Sequence, residues 1–291
     1  MIQQQAAHEL LVCPKERSPL NRIGDSLHCN LCGRIYPIQD GVPIFFSDQE
    51  WNELYIADGG DHYATEDPFQ LAHGDPGYLA LRGDDDYGLI LDLGCGDGVF
   101  SSKVPGNFRS YCVDVTMAGL CRLQKRCMEN LVPLLASGFE LPFADKTFDT
   151  VLYIFVVEHL APDGDLFMLQ EIRRVLKDDG KVIFTTDTPF FDRHLVRWTS
   201  LLLRHEWINQ DHYSSTGHIN LLTMQQSRSL VKSAGLQIEV EHPYWMGSRF
   251  TWWIRLVSFL RNHLSPRVCE DYLTSKYSFI LTKAGDEVGC S

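Results

Sequence analysis

The apolar run Leu89-Ile90-Leu91-Asp92-Leu93 stops at Gly94-Cys95-Gly96-Asp97-Gly98, and few folds accommodate that succession. A short apolar segment closed by glycines reads as a strand buried on both faces, the kind found inside parallel sheets. Glycines permit positive φ and let backbone approach a ligand closely. A helix opening after such a turn aims its N–H groups at an anionic group. Asp92 precedes the first glycine by two residues and is placed to receive a cationic group. The dinucleotide pattern G-x-G-x-x-G is not completed, because Val99 stands where its third glycine belongs.

Downstream, strand-like and helix-like segments alternate. Residues 110–114 form the next strand, 117–130 a helix, 134–136 a third strand and 148–155 a fourth. Residues 165–177 carry helical spacing stopped by Gly180, and 181–186 read as a fifth strand. Thr223 is an N-cap for a helix reaching Ala234, with Gly235 just beyond it. Residues 236–240 and 277–283 are late strands. The alternation predicts an α/β fold with an open, doubly wound sheet. Three regions separate by texture: a β-rich module at 1–47, a linker or lid segment at 48–87, and the α/β domain at 88–291 with an insertion at about 190–265.

The net charge narrows the partners. Lys and Arg number 26 against 38 Asp and Glu, giving −12. A chain so acidic repels a phosphate backbone, so nucleic acid is not its expected partner. The start shows no basic segment followed by an apolar run, so the nine cysteines read as reduced thiols of a cytoplasmic protein. No apolar stretch reaches the roughly 20 residues that span a bilayer.

Four segments in order carry a family resemblance. They are the turn with Asp92; Asp114, at the second strand's end and suited to two ribose hydroxyls; Ala136-Ser137-Gly138-Phe139-Glu140-Leu141-Pro142-Phe143 followed by Phe148-Asp149; and Tyr153-Ile154-Phe155-Val156-Val157-Glu158-His159-Leu160. Together they resemble the class I S-adenosylmethionine-dependent methyltransferases, in the small-molecule branch called type 11. The resemblance covers about residues 88–190 and, weakly, 215–240. It implies S-adenosyl-L-methionine as cofactor, held by Asp92, Gly94, Cys95, Gly96, Gly98, Asp114, Val115, Met117, Ser137, Gly138, Phe139 and Tyr153. Ser137 stands where the family has an acid against adenine; its hydroxyl can still donate or accept a hydrogen bond.

Methyl transfer from a sulfonium needs alignment, exclusion of water and, for a hydroxyl acceptor, a base. His159 is the candidate, since histidine titrates near neutrality; a purely local structural role is the other reading. The Asn/Asp-Pro-Pro-Tyr motif of amino-group methyltransferases is absent, with Tyr153-Ile154-Phe155-Val156 in its place. That favours a small-molecule acceptor, with an rRNA or tRNA base methyltransferase and a non-catalytic cofactor-binding partner as alternatives. The 190–265 insertion holds Trp198, Trp207, Trp245, Trp252 and Trp253, together with His212 and His218, and reads as a lid. Its most apolar part, residues 250–260, suits a lid or core, a dimer contact, or peripheral membrane contact.

In the first region, Cys13-Pro14-Lys15-Glu16 and Cys29-Asn30-Leu31-Cys32 have the spacing of paired zinc knuckles. One thiol is missing, leaving Glu16 or His28 as the fourth ligand of Cys13, Cys29 and Cys32. With Leu10-Leu11-Val12 before and Tyr36-Pro37-Ile38 after, the segment resembles the zinc-ribbon-like activator subunits of methyltransferases. The resemblance implies an in-cis scaffold, with structural zinc or without metal.

Overall fold

The computed structural model describes residues 8–46, 86–161, 163–189, 220–245 and 274–285. The linker expected at 48–87 lies almost wholly outside the described residues, as do the aromatic core of the 190–265 insertion, His212, His218 and the side chain of Trp245. Chain contacts divide the molecule into two units. The first comprises residues 1–153 with 167–183, the second 154–166 with 184–291.

The first unit begins with a small antiparallel sheet of β1 (Leu20–Ile23), β2 (Ser26–Cys29), β3 (Ile35–Gln39) and β4 (Val42–Pro43), in that spatial order. Side chains alternate across a strand. Leu27, Cys29 and Tyr36 therefore turn inward and are buried, while Ile23 and Ile35 are exposed. The α/β part of this unit contains β5 (Leu89–Leu93), β6 (Arg109–Asp114), α1 (Met117–Lys125), β7 (Leu131–Leu135) and most of β8 (Phe148–Ile154), α2 (Gly164–Val175) and β9 (Leu176–Asp187), whose remaining end residues are counted in the second unit. Strands β5, β6, β7 and β8 are parallel where they pair: β5 with β6, β5 with β8, and β6 with β7. Their apolar residues are buried on both faces, with Ile90, Leu91, Val113, Leu134, Val151 and Leu152 at 0% exposure.

The second unit holds α3 (Met224–Ser233) and the antiparallel pair β10 (Leu236–Trp245) and β11 (Thr274–Lys283). Thr223 caps α3 through a reciprocal box with Gln226, and Gly235 follows at φ 75°, as its sequence predicts. The strand order of the main sheet is β10-β11-β9-β8-β5-β6-β7, the expected doubly wound architecture with a mixed far edge.

Several boundaries differ from expectation; β10 runs to 245 rather than 240 and β11 starts at 274 rather than 277, and three more differences have a local cause. Helix α1 ends at Lys125 rather than 130, because Cys127 adopts φ 53° and leaves the helical region. Strand β7 covers 131–135 instead of 134–136. Pro133 argues against a strand, but β7 ends the sheet, where a residue lacking an N–H is tolerated. Strand β9 begins at Leu176, directly after α2, and Gly180 lies inside it.

The module is built onto the edge formed by β7. Phe45 N–H donates to the Leu135 carbonyl at 2.8 Å, and Ile44 bridges Leu135 in parallel sense. Val12 N–H donates to the Pro142 carbonyl at 3.0 Å, and Leu11 bridges Phe143 antiparallel. Phe143 is fully buried in an edge-to-face group with Tyr111 and Phe148, with centroids 5.4 and 4.7 Å away. Arg174 of α2 braces the same turn. It donates to the Phe143 carbonyl at 2.7 Å and the Leu141 carbonyl at 3.2 Å, and pairs with Glu171 at 2.6 Å. Glu171 in turn accepts from Leu141 N–H at 2.8 Å. Removing one member of a largely buried pair leaves the other charge uncompensated. Arg174→Ala should therefore lower unfolding stability by about 3 kcal/mol, read as a lower urea midpoint; a loss below about 1 kcal/mol would contradict this network.

Candidate cofactor site

Strand β5 carries Asp92 into the interior, where it is 2% exposed. One carboxylate oxygen accepts from Ser101 Oγ at 2.7 Å, and Ser101 Oγ lies 2.7 Å from Ser110 Oγ. Burial pushes the Asp92 carboxyl up to about 7. At the end of the neighbouring strand β6, Asp114 is 6% exposed. Its Oδ2 accepts from Gly96 N–H at 2.8 Å, and its Oδ1 accepts from Thr116 N–H at 2.8 Å and Thr116 Oγ at 2.6 Å. Burial raises its pKa too.

Between these acids the backbone doubles back. Gly94 N–H and Cys95 N–H both donate to the Val113 carbonyl, at 2.8 and 3.1 Å. Gly94, Gly96 and Gly98 take φ of 71°, 55° and 73°, which only glycine adopts freely. The turn is also crowded. A Cβ on Gly98 would stand 2.8 Å from Leu123 Cδ1, and one on Gly119 would stand 2.9 Å from the Gly96 carbonyl. Helix α1 therefore packs directly on the turn. The helix expected immediately after the glycines is a correction: residues 96–100 form turns and only a short 3-10 segment follows, Ser101–Lys103. Its role is to deliver Ser101 beneath Asp92. Ser101, Thr116 and Arg126, whose Nε donates to the Asp97 carbonyl at 2.7 Å, escaped the sequence reading. A hydroxyl in a turn carries no periodic signal.

The loop after β7 supplies the third wall. Ala136 N–H donates to the Asp114 carbonyl at 3.1 Å, tying the loop to the end of β6. Ser137 Oγ accepts from Phe139 N–H at 3.2 Å. Gly138 is buried so tightly that a Cβ would meet Met168 Sδ at 2.3 Å. Phe139 and Val115 remain 45% and 42% exposed. Two apolar groups thus stay open on the loops following adjacent strands, and Met117 is half-buried in the first turn of α1. Tyr153, expected in this set, is 1% exposed.

The described residues fit the expected cofactor. Two buried carboxylates at adjacent strand ends, each costly to ionise alone, match an ammonium group and ribose hydroxyls. Exposed Phe139 and Val115 match a flat heterocycle.

His159 belongs to the second unit, on the 3-10 turn Val157–His159, and is exposed, its N–H donating to the Val156 carbonyl at 3.0 Å. Beside it, Glu158 is fully buried and accepts from Thr186 Oγ at 2.9 Å.

In the module, Cys13, Cys29 and Cys32 bring their sulfurs within 4.8 Å of one another. Cys13 and Cys32 Sγ are 3.7 Å apart, close to the edge of about 3.8 Å of a tetrahedron with 2.3 Å zinc–sulfur bonds. The two candidate fourth ligands are corrected. Glu16 is exposed and lies outside the sulfur group. His28 neighbours Cys29 along β2 and so faces the opposite side, where its Nε2 is 2.8 Å from Ser26 Oγ. Tyr36 Oη, 3.2 Å from Cys13 Sγ, is the oxygen nearest to the cluster among these groups.

A parallel sheet with a glycine turn between two strand-end acids defines a nucleoside-binding Rossmann-like class. Within it, residues 91–184 match the methyltransferase domain family and residues 5–41 the Trm112p-like protein family. Residues 91–184 thus carry a match to the methyltransferase domain, preceded in the same polypeptide by a Trm112p-like segment. The uncharacterized protein MJ0638 of Methanocaldococcus jannaschii is 40% identical over 95 residues, 33% of this chain and 39% of that protein. This chain therefore spans about two fifths of that relative's length. The UPF0434 protein of Vesicomyosocius okutanii is 44% identical over 45 residues, 16% of this chain and 76% of that protein. A chain in the complex between the Haloferax volcanii Trm112 methyltransferase activator and a methyltransferase has the same fold, with TM-score 0.50, 14% identity, and coverage of 76% of this chain and all of that one.

An elevated Asp92 pKa has a defined consequence. Without cofactor the folded protein holds a proton on Asp92 up to about pH 7, whereas the unfolded chain releases it near 3.8. The folded state then binds more protons across that interval, and stability falls as pH rises through it. Urea midpoints of the cofactor-free protein should decline between pH 5 and 7.5, and Asp92→Asn should flatten that decline. An unchanged slope in the variant would assign it to another group.

Proposed function

We propose that the protein transfers a methyl group from S-adenosyl-L-methionine to a small-molecule acceptor. The observation that carries this reading is the pair of buried acids, Asp92 and Asp114, flanking a turn whose Gly96 N–H is held by Asp114. In this reading Asp92 takes the amino-acid end of the cofactor, Asp114 the ribose, and Val115, Met117, Ser137 and Phe139 the adenine. When bound, the cofactor supplies an activated methyl group. The protein's part is then to orient the acceptor and exclude water.

Acidic composition supports a small-molecule acceptor over RNA, as 26 basic residues against 38 acidic ones offer no basic stripe of the kind RNA enzymes use. Among the described residues no helix is long and apolar enough to cross a membrane. All seven described cysteines are free thiols, in keeping with a reducing compartment. His159 is the residue we assign to proton removal from a hydroxyl acceptor, on its position after β8 and its exposure.

Calorimetry with S-adenosylhomocysteine should give saturable binding, weakened at least tenfold in Asp114→Asn, a loss of about 1.4 kcal/mol. Absence of binding by the intact protein would overturn the reading. With radiolabelled cofactor and a fractionated extract, label should enter the small-molecule fraction and not RNA. His159→Ala should lower kcat while leaving S-adenosylhomocysteine affinity unchanged.

A further inference from the structure

Phe155 follows β8 directly and takes φ 57°. A bulky side chain seldom adopts that left-handed conformation, and strain of this kind is concentrated at functional sites. Its N–H still donates to the Thr185 carbonyl at 2.8 Å, so the chain turns without letting go of β9. Over the Phe155 ring stands the Lys276 ammonium, 4.4 Å from the centroid, within the range of cation–ring attraction. Lys276 lies near the start of β11. Thr185 Oγ is 2.7 Å from Ser278 Oγ, and Asp187, further along β9, meets Lys276, further back along β11. Strand β11 therefore runs against β9 here and brings Lys276 to the carboxyl ends of β8 and β9. Open α/β sheets take their ligands at that edge. All these residues belong to the second unit, as does His159 on the 3-10 turn that follows.

We propose that Lys276, seated between Phe155 and Asp187, binds a carboxylate of the small-molecule acceptor. The inference rests on the methyl-transfer reading given above and adds the chemical class of the acceptor. Lys276 Nζ and Asp187 Oδ1 are 3.6 Å apart. That is beyond hydrogen-bond distance, so Asp187 holds the ammonium by charge without taking one of its three N–H donors. The Phe155 ring attracts it through its face, again without a conventional acceptor atom. The cation is thus steadied on two sides and keeps donors for an incoming oxygen. Lys276 and Asp187 are both partly buried, where an ionic contact is screened less than on the open surface. Asp187 also selects the ligand: one cation beside one acid has no net charge, so a singly charged carboxylate is accommodated while a doubly charged phosphate meets the acid's repulsion. Phe155, itself only partly buried, offers apolar surface to the carbon skeleton next to that carboxylate. Anchoring the acceptor by a group remote from the reacting atom orients it, which makes Lys276 a specificity-determining residue.

The test uses the full chain saturated with S-adenosylhomocysteine, titrated with benzoate, benzamide and phenyl phosphate and followed by ligand-observed NMR. Benzoate should bind about tenfold more tightly than benzamide, its neutral analogue, and more tightly than phenyl phosphate. Lys276→Met, which keeps side-chain length and removes the charge, should abolish the preference for benzoate, and Lys276→Arg should restore most of it. Asp187→Asn should shift the preference toward phenyl phosphate. The Lys276 variants should keep the intact protein's S-adenosylhomocysteine affinity by calorimetry, which also reports that they are folded. In turnover with a fractionated extract, acceptor activity should be retained on an anion exchanger at neutral pH, and Lys276→Met should raise KM with little change in kcat. Equal binding of benzoate and benzamide, a preference that survives in Lys276→Met, tighter binding of phenyl phosphate than of benzoate, or no binding of any probe would each overturn the carboxylate site and leave the methyl-transfer reading standing. Failure of the intact protein to bind S-adenosylhomocysteine would overturn that reading and this inference with it.

Discussion

One hydrogen bond organises the cofactor half of this protein: Gly96 N–H to the Asp114 carboxylate, 2.8 Å long and buried. It locks the turn after the first parallel strand to the end of the second. With it, Gly96 lies close enough to α1 that Gly119 can have no side chain. The same acid orders Thr116 at the mouth of α1, and its carbonyl receives Ala136 from the next loop. A single strand-end aspartate, through its carboxylate and its own carbonyl, thus sets the positions of three consecutive loops. In an interior of low dielectric such a bond is strong, and leaving it unmade is costly.

The parts of the fold written as pattern were legible in the sequence. Strand β5 is an apolar run ended by glycines, and α3 begins at a Thr-x-x-Gln box and ends at Gly235, so local chemistry and tertiary structure agree. The parts set by tertiary context were not. The 3-10 segment replaced an expected helix because its residues are positioned by what Ser101 must reach, not by amphipathic spacing. Pro133 disguised an edge strand, whose tolerance for proline is a property of the finished sheet. The acids Asp92 and Asp114 could be read from strand ends; the hydroxyls that hold them, Ser101 and Thr116, could not, since a hydroxyl's partner is fixed only by folding. The sulfur cluster was half legible. Spacing announced Cys13, Cys29 and Cys32, but strand alternation, which turns His28 away, settles only once β2 is known.

The module and the parallel strands beside it fall within the same compact unit. Cys13, Val12 and Arg17 lie within a few bonds of the turn that Glu171 and Arg174 brace. That turn ends the loop that carries Ser137, Gly138 and Phe139. A region that composition marks off as separate is thus held by backbone hydrogen bonds at both ends of that loop.

Strand β7 closes one side of the main sheet, and the module's Ile44–Phe45 segment lies along it with a parallel bridge at Leu135. Open strand edges invite pairing with other chains. The module therefore also acts as a seal, occupying hydrogen-bonding positions on β7 that would otherwise be offered to a second molecule. Because the covering segment precedes β7 on the same chain, it is already synthesised when the strand it covers emerges.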